Sequence, residues 1–136
     1  MTPDFLVDTD ILVDFLRGNN LAVDFVRGNA ARIVLSSIVI AELYSGAREG
    51  ELPILDEIPR LFSAKPVTTE IARLGGSSKS RYGKSHGLGL ADALLAATAK
   101  HYRLRLKTLN VKHFPMFPDL RPPYRKPAFA GQIVKP

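Results

Sequence analysis

Phe5, Leu6 and Val7 form an apolar run with no polar interruption, the pattern of a short strand buried on both faces. Asp8, Thr9 and Asp10 follow, and Ile11, Leu12, Phe15 and Leu16 then recur at helical spacing. The pattern predicts a strand, an acidic turn, and a helix from Thr9 to about Arg17 that stops at Gly18. Asn19 and Asn20 can cap a second helix with Leu21, Phe25 and Val26 inward. Ile33, Val34 and Leu35 read as a second buried strand, and Ser36 and Ser37 as caps for a helix over 37–49. Leu52, Leu55, Ile58, Leu61 and Phe62 predict an amphipathic helix over 52–62, with a short extended piece at Pro66 and Val67.

Thr68 or Thr69 can cap a helix from Glu70 that Gly75-Gly76-Ser77-Ser78 weakens, since an internal Gly costs about 1 kcal/mol against Ala. The basic segment 79–86 reads as a helix end and an exposed loop. Leu90 to Tyr102, rich in Ala, predicts a closely packed helix. Residues 104–108 alternate like a strand with one covered face, and Asn110 to Phe114 suit one helical turn. Strand–helix alternation over a single domain implies an α/β fold with a central, mostly parallel sheet and helices on both faces. Six of the ten prolines lie from Pro115 onward, so residues 119–136, including Arg121-Pro122-Pro123-Tyr124-Arg125-Lys126-Pro127, read as an extended tail of the domain spanning 1–118.

Composition changes this picture in two ways. The 136 residues contain no cysteine, which excludes disulfides, thiolate zinc sites and cysteine nucleophiles and suits a reducing cytoplasm. Met1-Thr2-Pro3-Asp4 lacks the basic-then-apolar order of a secretory leader, and no apolar run reaches the roughly 18 residues of a membrane span. The net charge of +6 is also unevenly placed. Residues 1–57 carry 4 Arg against 10 Asp and Glu, whereas residues 58–136 carry 15 Lys and Arg against 3 acids. A basic surface around a few acids suits a polyanionic partner, and it equally suits a well-solvated face.

Asp8, Glu42 and Asp92 stand apart from the other acids because their neighbours are apolar. Asp8 can cap the following helix, Asp92 can answer a helix dipole, and Glu42 can point outward or meet a distant Arg. Alternatively, all three converge at one rim of a parallel sheet, where ligands bind. Three carboxylates that close repel by about 4 kcal/mol per pair at 4 Å, taking an effective dielectric near 20. They must then take up protons or hold a cation, and oxygen donors without His or Cys favour Mg²⁺ or Mn²⁺. Such a cluster in a basic protein points to phosphodiester chemistry.

Four segments carry a resemblance. Leu6-Val7-Asp8-Thr9-Asp10-Ile11-Leu12, Ser36-Ser37-Ile38-Val39-Ile40-Ala41-Glu42-Leu43, Leu90-Ala91-Asp92-Ala93-Leu94-Leu95-Ala96-Ala97-Thr98-Ala99 and Thr108-Leu109-Asn110-Val111-Lys112-His113-Phe114 occur in this order over residues 4–118. Together they resemble the PIN-domain ribonucleases, in particular the VapC-type toxins of type II toxin–antitoxin pairs. The resemblance implies a three-layer α/β/α fold and an Mg²⁺-dependent endoribonuclease, with Mn²⁺ able to substitute. It places Asp8, Glu42 and Asp92 on the metal-binding catalytic acids, with Glu42 a ligand or a general base acting through water. Thr9 and Thr108 fall on supporting hydroxyls. Asn110 falls where many members have a fourth acid and others Asn, and a neutral amide holds a second metal less well. The implied partners are RNA, a small VapB-like antitoxin whose C-terminal segment covers the groove, and a second copy in a homodimer. Arg17, Lys79, Arg81, Lys84, Lys107 and Lys112 are candidates for RNA phosphates.

Asp10 reads as an exposed first-turn acid or an extra ligand, and His86, His101 and His113 as surface or edge residues. Two other readings stand beside this one. Asp8-Thr9-Asp10 after a strand matches the opening of a haloacid-dehalogenase-type phosphatase, but the closely spaced acid pair that reading needs later in the chain is missing. A PIN-like module that binds RNA without cutting it is the other.

Overall fold

The computed structural model describes residues 4–125. In chain order the elements are β1 (Phe5–Val7), α1 (Thr9–Leu16), α2 (Asn20–Gly28), β2 (Ile33–Ser36), α3 (Ser37–Ser45), α4 (Leu52–Leu55), α5 (Ile58–Leu61), β3 (Ser63–Lys65), α6 (Thr69–His86), α7 (Leu90–Tyr102) and β4 (Arg105–Lys107). One 3₁₀ turn, Ala30–Arg32, leads into β2, and another, Val111–His113, follows β4. The four strands form one sheet in the order β3-β2-β1-β4, with every neighbouring pair parallel. Every residue of β1 and β2 is buried. Successive strand residues face opposite sides, so both faces of the sheet are covered, as an α/β/α arrangement requires.

Parallel order brings the carboxyl ends of β1, β2 and β4 to one rim. Register fixes how they meet: Val7 pairs with Lys107, and Leu6 with both Val34 and Leu106. Asp8, Thr108 and the start of α3 therefore emerge side by side. Beneath them Leu6, Val7, Ile11, Leu12, Leu35 and Val39 exclude water completely. Each such side chain contributes about 1.5–3 kcal/mol relative to an exposed position.

Helix starts follow the expected caps. Asp8 accepts from the Thr9 N–H, Asn19 from Leu21 and Ala22, Ser36 from Ile38, and Thr68 from Ile71. The departures have physical causes. The helix expected over 52–62 is two single turns, each with a proline in its first turn. Pro59 has no N–H to donate and its ring crowds the carbonyl four residues earlier. Helix α3 ends at Ser45 rather than residue 49, and the extended piece lies at Ser63–Lys65, just before Pro66. Leu21 turns outward, at 40% exposure, and Ala22 takes the inner position.

The largest departure is α6, which runs unbroken from Thr69 through Gly75-Gly76 to His86, including the segment expected to be a loop. Gly75 is buried, and a Cβ there would sit 2.7 Å from Leu94 Cδ2 and 3.1 Å from Leu94 Cα. The missing side chain is what lets α6 approach α7. Gly76, one residue on, has nothing within 4 Å of that position. The two glycines should respond oppositely to alanine. Gly76→Ala should stabilise the fold by about 0.5–1 kcal/mol through helix propensity. Gly75→Ala should destabilise it by about 1–2 kcal/mol, because overpacking outweighs the same propensity gain. Urea unfolding of both variants checks the sign.

The C-terminal stretch is not a loose tail as far as it is described. Met116, Phe117, Leu120 and Tyr124 pack against the core, and the Tyr124 hydroxyl donates to Asp14 Oδ2 at 2.8 Å. Residues 1–3 and the part of the tail from Lys126 onward lie outside the described residues.

Candidate functional site

Asp8 leaves the end of β1 and is only 7% exposed. Its Oδ1 accepts from the Thr9 N–H at 2.7 Å, and its Oδ2 from the Thr108 hydroxyl at 2.8 Å. Burial, chiefly, and then the negative charge of Asp10 push its carboxyl up to about 7, against the pull of those two hydrogen bonds; the charge of Asp92 adds a smaller upward push. Asp8 is thus both the helix cap and the most strained acid of the rim. It is oriented by two donors in a place that disfavours its charge.

Thr9 joins two of the acids. Its N–H holds Asp8, while its hydroxyl donates to Glu42 Oε1 at 2.7 Å from the half-buried face of α3. Glu42 therefore points inward, with Arg17 and Glu51 lining the same small cavity. Asp92, in the first turn of α7, lies 3.4 Å from His113 Nδ1 through its Oδ2. Burial raises the Asp92 pKa, and the facing His113 lowers it.

Asp10 is not the exposed acid the sequence suggested. It is half-buried, and its Oδ2 accepts from the Leu109 N–H at 2.9 Å and the Asn110 amide at 3.2 Å, with the Thr108 hydroxyl 3.3 Å away. Its Oδ1 accepts from the Ile11 N–H at 2.8 Å. The single Thr108 proton belongs with the nearer Asp8, and Thr108 Oγ1 in turn accepts from the Asn110 N–H at 3.1 Å. Asp10 fastens the turn after β4 to the start of α1, and so sets where Thr108 and Asn110 stand. Burial raises its pKa, opposed by the bonds from Leu109 and Ile11. An acid committed to Leu109 and Asn110 on one side and to the Ile11 N–H on the other is poorly placed as the proton donor of a phosphatase, and that reading is not favoured.

The structure thus links Asp8, Thr9, Glu42, Thr108 and Asn110 by hydrogen bonds, with Asp92 near enough to affect Asp8 electrostatically. His113 joins them through Asp92, a role its place in the sequence does not reveal. The candidate cations are scattered. Arg17 pairs with Glu51 at 3.5 Å, and Lys79 donates to the Leu88 carbonyl at 2.8 Å. Lys107 lies over the Phe5 ring, 4.6 Å from its centroid, and burial lowers its pKa, helped by Arg105 and Arg32. Arg81 lines a groove between α6 and α7 with Lys100, and Lys84 and Lys112 are exposed.

Among the described residues, no three His, Asp or Glu side chains already surround one point at metal-binding spacing. The donor chemistry nevertheless fits a hard divalent cation: oxygen donors, no thiolates, and an Asp8 whose charge is disfavoured first by burial and then by the neighbouring Asp10, which a cation would relieve.

Comparison with known proteins gives a consistent result. The PIN domain family matches residues 5–114. Ribonuclease VapC19 of Mycobacterium tuberculosis is 47% identical over 93 residues, covering 68% of this chain and 74% of that protein. Ribonuclease VapC10 of the same organism is 43% identical over 96 residues, covering 70% and 72%. Among solved structures, a toxin–antitoxin complex from Klebsiella pneumoniae superposes with a TM-score of 0.76 at 27% identity, over 90% of this chain and all of that one.

Proposed function

Because this chain belongs to the PIN-domain family, and within it to the VapC type, we propose that it is an Mg²⁺-dependent endoribonuclease and the toxin of a VapBC-type pair. The observation that carries this reading is the buried Asp8 carboxylate, oriented by Thr9 and Thr108 and carrying a charge its surroundings oppose. A bound divalent ion would supply the Lewis acid for the phosphate and lower the pKa of the attacking water.

The chain's own residues then have distinct tasks. Asp8 and Asp92 hold the ion. Glu42, fixed by Thr9, is a further ligand or accepts the water's proton. Thr108 keeps Asp8 in orientation, and Asn110 offers a neutral amide at the rim. Arg81, Lys84 and Lys112 remain as contacts for RNA phosphates, while Lys79 and Lys107 are held by Leu88 and Phe5. A VapB-like antitoxin segment over the acids, a homodimer and a cytoplasmic location complete the proposal. No helix among the described residues is long and apolar enough to cross a membrane.

The test is digestion of a pool of structured RNAs. Cleavage should appear with Mg²⁺ or Mn²⁺, vanish with EDTA, and return on adding metal. Asp92→Asn should reduce it at least about 100-fold, since even outer-shell changes at metal sites cost 10–100-fold. Binding of the pool with no metal-dependent cleavage would leave the non-cleaving RNA-binding module as the answer.

A further inference from the structure

A cleft of about 600 Å³ opens beside the rim acids. On the side of the site it is lined by Asp10, Asn110 and Val111, and on the other by Pro122, Tyr124 and Arg125. That second wall lies beyond residue 114, where the family match ends. It is held firmly: the half-buried Tyr124 packs on the core and donates to Asp14 on α1, the helix that Asp8 caps. Burial and that bond keep the phenol protonated.

The lining has the chemistry of a nucleotide. Tyr124 and Pro122 offer the flat, apolar surface on which unpaired bases stack. The Asn110 amide spends one N–H on Asp10, leaving a second N–H and a carbonyl oxygen, a donor–acceptor pair that suits a base edge. Arg125 adds an exposed cation, and guanidinium matches phosphate. The volume falls within the usual range for ligand sites, and the cleft is continuous with the acids through Asp10 and Asn110.

We propose that this cleft seats one unpaired nucleotide of the RNA next to the scissile phosphate, with its base against Tyr124 and Pro122 and its phosphate toward Arg125, and so sets the base preference of cleavage. The proposal rests on the ribonuclease reading above, but binding can be measured without cleavage. Each of the four nucleoside 5′-monophosphates is titrated into the metal-free full chain and followed by amide NMR. Shifts should concentrate at Asn110, Val111 and Tyr124, with one base bound best. Tyr124→Leu, which keeps the apolar filling, should weaken binding about tenfold, within the range for loss of one base–aromatic stack. Tyr124→Phe should keep the preference, and Arg125→Gln should weaken all four nucleotides alike.

Sequencing the ends produced from a random RNA pool supplies the second readout: one position beside the cut should show a base bias that Tyr124→Leu flattens. Absence of shifts around the cleft, or a bias unchanged in Tyr124→Leu, overturns the proposal. If monophosphates bind as described but no RNA is cut, the nucleotide site stands and the ribonuclease reading falls.

Discussion

Asp8→Asn should make the metal-free protein more stable at pH 8 while reducing RNA cleavage at least about 100-fold. The Asp8 carboxyl titrates near 7 in the fold against an ordinary value of 3.8. Below about pH 4 the folded and unfolded chains both hold the proton, and the stability linked to Asp8 is fully present. Between about pH 4 and 7 the unfolded chain gives up the proton while the fold retains it, and by the time the folded carboxyl ionises near 7 about 4 kcal/mol of that stability is lost. An amide of the same shape avoids the charge and keeps one acceptor oxygen, but its NH₂ group faces one of the two donors, Thr9 or Thr108, and forgoes one charge-assisted bond worth about 1.5–3 kcal/mol. The net gain at pH 8 should be about 1–2 kcal/mol in EDTA and should reverse to a net loss of about 1 kcal/mol at pH 5, where the folded wild type keeps its proton and has regained more than half of the linked stability. Mg²⁺ should then stabilise the wild type and leave the variant almost unchanged. Thermal melts at the two pH values, with and without metal, measure all of this. A variant that is no more stable at pH 8, or that cleaves within tenfold of wild type, contradicts the assignment of Asp8 as a strained metal ligand.

The same residue shows what the sequence could reveal. An apolar run that passes directly into Asp8 and resumes at helical spacing is a local pattern, and β1, the Asp8 cap and α1 follow from it. Caps at Asn19, Ser36 and Thr68 are equally local. Tertiary requirements are not. The double glycine at 75 and 76 looks like a weak point because helix propensity counts only the residue itself. The need for a bare Cα at Gly75 comes from Leu94, on another helix. The basic stretch 79–86 resembles a loop because a helix with a broad solvated face has little apolar pattern to show. Asp10 is the clearest case. Its partners Leu109 and Asn110 lie 99 and 100 residues away, and only the parallel pairing of β1 with β4 brings them within reach. The acids of the rim were therefore legible as misfits in apolar company, whereas the threonines and the turn that hold them together were legible only through the family resemblance.

Phe114→Ala should be the costliest single truncation near the site, at about 3–5 kcal/mol. Phe114 is 1% exposed and is among the largest fully buried side chains. It closes the 3₁₀ turn after Asn110, with its N–H donating to the Val111 carbonyl at 3.2 Å. The segment that carries Thr108, Asn110 and His113 is thus held at two ends, by Asp10 at its start and by Phe114 in the core at its finish. Removing the ring leaves a cavity that a parallel sheet and its packed helices cannot readily collapse. Phe114→Leu, which keeps most of the volume, should cost about 1–1.5 kcal/mol. Urea unfolding should show a lower midpoint with an unchanged slope, the mark of lost stability rather than a changed unfolded state. At low temperature, where enough protein stays folded, the alanine variant should also lose cleavage beyond the loss of folded molecules, because Thr108 no longer returns reliably to Asp8. A Phe114→Ala protein that unfolds within 1 kcal/mol of wild type would mean the turn is held by Asp10 alone.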